Sequence, residues 1–253
     1  LREKGLLEQL TAVGASTRPR AIEGSYMPCF LAGESQGRVV ADTLGVPFFP
    51  VSHQQGHLAA AAWSAGRLEL LDGPFLAWHL SGGTTELLYV QPEGTGVKAS
   101  RIGGSSDISA GQLIDRTGVL LGLGFPAGRA LDALARTAGE VQGFAVKCDA
   151  LTFSLSGMEN KVKSMAERGE PPERVARFAV ETAVRTVVRI TEQAQTRYPG
   201  LPVLCSGGVA SNSRLREVLE VRCHAVFAPP EYSTDNAMGP AILAWRGMRE
   251  EVP

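Results

Sequence analysis

Two of the four histidines in this chain, His53 and His57, stand four residues apart at the start of an alanine-rich run. Ser52 and Gln55 have the spacing of a capping box, which predicts that a helix begins here, and Gly66 is placed to end it. Positions four apart share one face of a helix, so the two imidazoles can reach a single cation, for which divalent zinc or iron is suited. The alternative is a pair of ordinary polar residues in a first helical turn.

A third metal ligand is available near the C-terminal end of the chain. Asp235 follows Ser233 and Thr234, either of which is predicted to cap a helix with Asp235 in its first turn. Two histidines and one carboxylate form a facial metal site with open positions. The alternative for Asp235 is a favourable interaction with the helix dipole. A zinc-protease site is disfavoured, because Gln54 stands where the His-Glu-x-x-His motif needs its glutamate.

Two segments repeat the same pattern of an apolar run followed by a serine and two glycines. Residues 74–80 and 201–205 are predicted to be buried strands, and Ser81-Gly82-Gly83 and Ser206-Gly207-Gly208 follow them. Consecutive glycines let a ligand approach the backbone closely, and exposed N–H groups in such loops bind phosphate. One copy alone is most simply a tight turn. Because the pattern occurs twice, the sequence predicts a nucleotide held between the loops.

The rest of the chain alternates between helical and strand patterns, which is typical of an α/β protein. Asn212 or a neighbouring serine is predicted to cap the helix that follows the second glycine pair. Helices are predicted at residues 6–10, 30–44, 107–121 and 172–198, and further strands at residues 47–51 and 85–90.

Composition narrows the class of protein. The chain has 253 residues, of which 44% are hydrophobic, and a net charge of −1, so contact with a nucleic acid needs a local basic patch or a partner. Its four cysteines show no Cys-x-x-Cys pair and are expected to be reduced fillers. No apolar run approaches the roughly 18 residues of a membrane span. We therefore expect a cytoplasmic protein with no membrane contact, and, since it begins at Leu1, a true N-terminus upstream.

An ordered set of motifs between about residues 28 and 245 resembles the TsaD family, the tRNA adenosine threonylcarbamoyltransferases formerly called sialoglycoprotein endopeptidases. The ordered set is more specific than any single motif. The motifs are His53-x-x-x-His57, Leu80-Ser81-Gly82-Gly83, residues 107–116, Phe125-Pro126-Ala127-Gly128, residues 153–157, residues 206–212 and residues 234–238.

The resemblance implies an actin-like, sugar-kinase-like (ASKHA) fold of two α/β domains with a nucleotide cleft between them. Residues 1–72 with about 236–253 would form the first domain, and residues 73–235 the second. The ligand would be threonylcarbamoyl-AMP or another adenine nucleotide. The residues expected to bind it are Leu80, Ser81, Gly82, Gly83, Asp115, Gly128 and Asn212.

The resemblance also implies a chemistry and a set of partners. One divalent metal, iron or zinc, would be held by His53, His57 and Asp235. The N6 amine of a tRNA adenosine would attack the carbamoyl carbon and AMP would leave, without any protein nucleophile. The partners would be tRNA, TsaB-like and TsaE-like proteins and a TsaC-like enzyme that supplies the adenylate, and a homodimer is an open alternative.

Five features depart from the family pattern. Gln55 and Gln112 replace glutamates, Thr84 replaces a histidine and Glu159 replaces a lysine. The family's N-terminal Asp-Thr-Ser element is not in this sequence. Two other functions therefore stay open: an actin-like, ATP-binding kinase-type enzyme, and a non-catalytic paralogue that binds a nucleotide or a partner subunit.

Overall fold

A computed structural model describes residues 5–232 and 236–250. Its helices are α1 Pro28–Leu44, α2 His53–Ser64, α3 Ala110–Leu120, α4 Gly128–Thr137, α5 Ser156–Glu167, α6 Pro172–Arg197, α7 Ser213–Cys223 and α8 Met238–Glu250. Its strands are β1 Val13–Arg18, β2 Phe48–Ser52, β3 Phe75–Leu80, β4 Thr85–Glu93, β5 Gly96–Ser105, β6 Cys148–Asp149, β7 Thr152–Phe153, β8 Val203–Ser206 and β9 Val226–Phe227. Short 3₁₀ turns lie at Leu7–Gln9, Leu68–Asp72, Gly208–Ser211 and Pro230–Tyr232.

The chain folds as two compact units. The first unit contains residues 1–74, 90–99 and 235–253, and the second contains residues 75–89 and 100–234. The sequence placed residues 90–99 in the second domain, but this end of the β4–β5 hairpin is bonded within the first unit. Gln55 donates to the carbonyl of Val97, and Arg246 donates to the carbonyl of Thr95.

The first unit is built around the parallel pair β1 and β2, in which Val13 lies opposite Phe48. Parallel neighbours need a crossover connection, and α1 supplies it. Pro28 occupies the first turn of α1, where its missing N–H costs nothing, and the helix ends before Gly45 in the left-handed conformation. Helices α2 and α8 complete the unit. The helix predicted at residues 30–44 is confirmed and starts two residues earlier.

The second unit holds a seven-stranded sheet in the order β6-β7-β5-β4-β3-β8-β9. Strand β3 runs parallel to β8, with Trp78 opposite Cys205, and β8 runs parallel to β9. The near-continuous apolar character of β3 fits its position, because parallel strands inside a sheet are covered on both faces. The strands predicted at 74–80 and 201–205 are confirmed to within two residues at each end.

The 26-residue helix α6 is the largest single contributor to the core of the second unit. It buries a long row of side chains that includes Val180, Val187 and Ile190. Trp78 of β3 is fully buried, and its indole N–H donates to the hydroxyl of Thr191 on α6 at 2.8 Å. A buried indole needs such an acceptor, so this bond fixes the helix against the sheet. No helix in residues 5–232 and 236–250 is long and apolar enough to cross a membrane.

Two sequence predictions were wrong in extent. Residues 6–10 form only the 3₁₀ turn Leu7–Gln9. The helix predicted to begin at Asp107 begins at Ala110, with Ser109 as its N-cap. Asp107 lies outside the helix because its carboxylate caps another one: it accepts from the backbone N–H groups of Leu155 and Ser156 at the start of α5.

Candidate active site

The two Ser-Gly-Gly segments lie side by side. The first follows β3, and the second begins at Ser206, the last residue of the neighbouring parallel strand β8. Carboxyl ends of parallel strands meet at one edge of a sheet. Gly207 has a positive φ of 98°, and a Cβ atom there would overlap the carbonyl oxygen of Leu80. Only glycine permits this approach. The repeated sequence pattern thus forms one paired loop structure at a position where α/β sheets bind ligands.

A cavity of about 640 Å³ opens beside these loops, within the size range of small-molecule sites. Its wall includes Gly111 in the first turn of α3, Gly128 and Arg129 at the start of α4, and Gly208 in the second Ser-Gly-Gly segment. The N-terminal ends of two helices therefore border one space, and their N–H groups and dipoles favour an anionic group such as a phosphate.

Three glycines leave room in this cavity. A Cβ atom on Gly208 would meet nothing within 4 Å, and one on Gly82 or Gly128 would meet only a single atom at 3.9 or 4.0 Å. These glycines are therefore not required by close packing of the protein against itself. Their backbones are open to a ligand of the size the cavity admits.

Four of the seven predicted nucleotide-binding residues line this cavity: Gly82, Asp115, Gly128 and Asn212. The other three lie in the adjoining strand end and turn. Leu80 is fully buried, so only its backbone is available to a ligand, and Ser81 closes the turn by two bonds with Thr84. Gly83 is exposed between them.

Asp115 has a structural bond in addition to its place in the cavity wall. One carboxylate oxygen accepts from the backbone N–H of Ala127 at 2.8 Å, which holds the loop before α4. The other oxygen lies 3.9 Å from where a Cβ on Gly82 would be. That second oxygen faces the first Ser-Gly-Gly segment and is the one placed to accept from a ligand.

Both the oxygen and the nitrogen of the Asn212 side chain are already bonded within the protein. Its carbonyl oxygen caps α7 by accepting from Leu215 N–H at 3.0 Å, as the sequence predicted for a cap here. Its amide nitrogen donates to Asp132 at 3.0 Å. The bond to Asp132 uses one of the two amide N–H groups, so Asn212 is placed to donate the other to a nucleotide.

Asp132 is the site residue that the sequence did not reveal. It lies in α4, lines the cavity, and accepts from Asn212, from both the N–H and the hydroxyl of Ser213, and from Arg136. An acidic residue in the first turns of a helix is usually a partner of the dipole, so no local pattern distinguishes this one. Its role follows only from the packing of α4 against the start of α7.

Replacing Asp132 by alanine is expected to weaken binding of AMP about tenfold, because it releases the amide and hydroxyl that it holds at the start of α7 and leaves Asn212 unsatisfied. Isothermal titration calorimetry of AMP measures this. Asp42→Ala, which removes an exposed carboxylate from α1, is the matched control and is expected to bind AMP as the wild type does. Equal affinity in the two variants would contradict the assignment.

The histidine pair lies in the first unit, and its two rings are in hydrogen-bond contact. Ser52 and Gln55 form the predicted capping box that starts α2. His53 and His57 are half-buried, and their Nε2 atoms lie 3.0 Å apart. Phe30 of α1 packs against the His53 ring with centroids 5.3 Å apart. Two metal–nitrogen bonds of about 2.0–2.1 Å span this separation, so the pair fits a single ion.

The start of α8 is packed against the helix turn that carries both histidines. A Cβ on Gly239 would overlap the carbonyl oxygen of Gly56, and a Cβ on Gly56 would lie 3.2 Å from Pro240. Asn236 caps α8 by accepting from Met238 N–H at 3.1 Å. The caps predicted at Ser233 and Thr234, and Asp235 itself, lie outside the described residues. Helix α8 begins at Met238.

Within residues 5–232 and 236–250, no cluster of three or more histidine, cysteine, aspartate or glutamate side chains could hold a metal ion. The histidine pair therefore needs a ligand from elsewhere. The two buried cysteines are poor candidates: burial raises the pKa of Cys205 above its ordinary value and that of Cys223 to about 11. Both thiols stay protonated at neutral pH, which also makes them poor nucleophiles.

Two of the four residues that depart from the family pattern, Gln55 and Gln112, have the same structural explanation. Gln55 and Gln112 each occupy the third position of a capping box, with Ser52 and Ser109 as the caps. Glutamate and glutamine are both suited to this position, because either side-chain oxygen accepts from the cap's backbone N–H. Gln55 uses its additional N–H groups to bond the carbonyl of Val97 at 2.8 Å. These changes preserve the helix starts on which the site depends.

The other two departures, Thr84 and Glu159, are each accommodated by contacts with neighbouring residues. Thr84 closes the first Ser-Gly-Gly turn through its backbone. Glu159, in the first turn of α5, is bonded to Arg116 of α3 at 2.6 Å, so the reversed charge is neutralised by an ion pair. An acidic residue at this end of a helix is also favourable for the dipole.

Asp107 joins two of the motifs that carry the family resemblance. Burial raises the pKa of its carboxyl, but hydrogen bonds from Ser154, Ser156 and the N–H of Leu155 outweigh burial and hold the pKa well below its ordinary range. Strands β5 and β7 bring these segments together, with Ser105 opposite Phe153. The two motifs are therefore parts of one structure that begins α5.

Because the pKa of Asp107 is depressed in the folded protein, its contribution to stability is complete above its unfolded pKa of about 3.9 and is lost as pH falls below that value. Asp107→Asn is expected to lower the urea midpoint at pH 7 and to differ less from the wild type at pH 3. Asp149→Asn, an exposed carboxylate, is the control. A difference that stays constant between pH 7 and pH 3 would overturn this explanation.

The fold defines the class of protein. Two HypF structures match with TM-scores of 0.64 and 0.62 at 14% and 15% identity; one is a full-length form with phosphate and nucleotide bound, and the other is from T. kodakarensis. They cover 85% and 86% of this chain, which spans 45% and 39% of theirs. The expected actin-like, sugar-kinase-like α/β fold is confirmed.

The family follows from sequence. The sequence model of the TsaD family, described as tRNA N6-adenosine threonylcarbamoyltransferase, matches residues 6–242 of this chain. A curated relative of that description from Thermus thermophilus is 33% identical, and the match covers 100% of this chain and 76% of the relative. A relative from Streptococcus pneumoniae is 34% identical, and the match covers 99% of this chain and 74% of the relative. The chain belongs to the TsaD family. It is a transferase of tRNA threonylcarbamoyladenosine modification, as the sequence predicted.

Proposed function

We propose that this chain binds threonylcarbamoyl-AMP through the cavity of its second unit and transfers the threonylcarbamoyl group to the N6 amine of a tRNA adenosine. The observation that carries the proposal is the cavity itself. It joins open glycine backbones, the N-terminal ends of α3 and α4, and a carboxylate, which are the groups an adenylate needs.

The residues of the second unit have distinct roles in this proposal. The N–H groups at the starts of α3 and α4, with the exposed Arg129, attract the adenylate phosphate. The second oxygen of Asp115 accepts from ribose hydroxyls, and Asn212 donates its second N–H. Gly82 and Gly208 admit the ligand to the backbone. All of these groups bind and orient the adenylate, and holding reactants in position lowers the activation barrier of the transfer.

The reaction needs no covalent enzyme intermediate. The lone pair of the adenine N6 forms a bond to the carbamoyl carbon, and the bond from that carbon to the phosphate oxygen breaks. AMP leaves with the bonding electrons, and the N6 proton passes to solvent. Because the phosphate carries the charge of the leaving group, donors held in advance at the helix starts stabilise its departure.

A divalent metal, iron or zinc, is proposed to be held by His53, His57 and Asp235, and when bound it would supply Lewis-acid stabilisation of negative charge. The convergence of the two imidazole nitrogens supports the histidine ligands. The packing of Gly239 against Gly56 supports Asp235, because Asp235 is four positions before Gly239 and an extended chain of that length spans at most about 14 Å.

Protein partners are also proposed: TsaB-like and TsaE-like proteins, with a TsaC-like enzyme supplying the adenylate. The support is an apolar surface on α1 and the segment before it. Helix α1 buries only Gly37 and Ala41 among the described residues, while Tyr26, Met27, Leu31 and Val39 are exposed. Exposed apolar side chains grouped in one short stretch of the chain are suited to a protein interface. The proposed location is the cytoplasm, where the tRNA substrate is found.

The test is a metal-reconstituted assay of the full-length protein with threonylcarbamoyl-AMP and unmodified tRNA, with and without the partners. Mass spectrometry of digested tRNA measures threonylcarbamoyladenosine. Product is expected only when tRNA and the adenylate are both present. Absence of product beside an active control enzyme would contradict the proposal, and ATP turnover with a small acceptor would favour a kinase-type activity instead.

A further inference from the structure

A second groove in the second unit is lined by arginines and lies apart from the residues assigned to the adenylate. It has a volume of about 350 Å³ and lies between residues 141–143, helix α6 and helix α7. Arg185 and Glu181 of α6 and Arg214 and Arg222 of α7 border it. We call this feature the arginine groove.

The wall of the groove is held in place by bonds along α6. Phe144 N–H donates to the hydroxyl of Thr182 at 2.9 Å. Arg185 and Arg189 donate to the carbonyls of Gly143 and Val146 at 3.1 and 3.3 Å. The guanidinium groups are thereby oriented before any ligand arrives, which reduces the entropy lost on binding.

The acidic side chains do not balance the arginines. Glu181 pairs with both Arg177 and Arg214 at 2.7 and 2.8 Å, and Arg222 pairs with Glu192 at 2.6 Å. Glu217 also pairs with Arg214. Arg185 and Arg189 donate only to neutral carbonyls in the described part of the chain.

The arginines that line the groove and their ion-pair partners are four arginines and three glutamates, which leaves one positive charge in a chain whose net charge is −1. Arg189, one turn from Arg185 on α6, adds a second positive charge beside the groove. Arg177, an ion-pair partner of Glu181, has a buried Nε that finds no hydrogen-bond acceptor among the described residues. The cluster has more donors and more positive charge than the protein itself satisfies. It is suited to acceptors that carry negative charge and come from outside.

From these observations we propose that the arginine groove binds phosphate groups of the tRNA backbone. This inference rests on the proposed function. A chain with net charge −1 has no overall attraction for a polyanion, so RNA binding needs a local positive surface, and this groove supplies one. Arginine is suited to phosphate because its planar fork donates two parallel hydrogen bonds. The groove would hold the tRNA body and would leave the reacting base to the active site.

The test compares the double variant Arg185→Ala, Arg222→Ala with the wild type in tRNA binding by the full-length protein and its partners between 50 and 200 mM salt. The variant is expected to bind tRNA about tenfold more weakly at the lower salt, and the slope of log Kd against log salt is expected to fall by about one to two. Arg185→Lys with Arg222→Lys is expected to recover part of the affinity, because the charge is retained without the fork.

The matched control is Arg67→Ala with Arg168→Ala, which removes two exposed, ion-paired arginines outside the groove. Equal weakening by the two double variants would overturn the proposal, because it would reduce the effect to net charge. AMP binding is expected to stay unchanged in all variants. Inorganic phosphate at millimolar concentration is the remaining probe. If it occupied the groove of the wild type while the groove double variant kept wild-type affinity for tRNA, the groove would be a site for a small anion and the proposal would fail.

This result is separable from the proposed function. If the wild-type protein binds tRNA but forms no modified adenosine, the transferase proposal fails. The effect of the groove variant on tRNA affinity still tests the inference about the arginine groove. If the wild type forms product and the groove variant retains full tRNA affinity, only the inference about the groove fails.

Discussion

The double variant His53→Ala, His57→Ala is expected to lose its divalent metal and roughly a thousandfold of its threonylcarbamoyl transfer activity. The two Nε2 atoms converge at 3.0 Å, so both proposed nitrogen ligands of one ion are removed together. A bound metal supplies several kcal/mol of charge stabilisation, and each 1.36 kcal/mol corresponds to a factor of ten in rate. Metal content by mass spectrometry and modified adenosine in the tRNA are the two measurements.

His224→Asn is the matched histidine control. His224 lies at the C-cap of α7 with a φ of 52°, a left-handed conformation that asparagine tolerates. It is expected to keep both metal and activity. AMP binding is expected to be unchanged in the double variant, because the residues of the cavity belong to the second unit. Retention of full activity after the metal is lost would show that transfer does not depend on this site.

Gly239→Ala is expected to be the most destabilising single-methyl substitution in the first unit. The added Cβ would overlap the carbonyl oxygen of Gly56, so α8 must move away from α2. Overpacking of this kind costs roughly 3 kcal/mol, and Tm is expected to fall by roughly 5–10 °C. Metal affinity is expected to fall as well, since the proposed ligand Asp235 is carried by the chain that leads into α8.

Gly73→Ala is the control for this substitution, because a Cβ at Gly73 would meet no atom within 4 Å. Its Tm is expected to stay close to that of the wild type. Calorimetric melting of the metal-free and metal-loaded proteins separates the two effects of Gly239→Ala. A variant with normal Tm and normal metal affinity would show that α8 packs on α2 more loosely than the structure indicates.

The sequence predicted those parts of the site that local rules determine. The capping box of α2, the strand ends before both glycine pairs and the Asn212 cap are short-range features, and all are confirmed. Asp132 and the assignment of residues 90–99 were missed because they depend on contacts between residues distant in sequence. Asp107 was placed in the wrong element, since a side chain that caps a distant helix shows no periodic pattern of its own.

The proposed metal site illustrates the same limit. Spacing alone predicts that His53 and His57 share a helix face, which the 3.0 Å separation of their nitrogens bears out. Spacing gives no information about Asp235, which is almost two hundred residues away. The contact between Gly239 and Gly56 brings the two regions together, and neither glycine has a sequence pattern that would predict it.

The division of the chain into units has a consequence for synthesis on the ribosome. The first unit is assembled from residues 1–74, 90–99 and 235–253, whereas the second is complete once residue 234 has been made. An emerging chain therefore contains α2 and its histidines long before α8, which packs on α2, so the second unit can fold while the first is still incomplete. The proposed third ligand, Asp235, follows the whole second unit in the chain, so the proposed metal site would form only after the second unit has been synthesised.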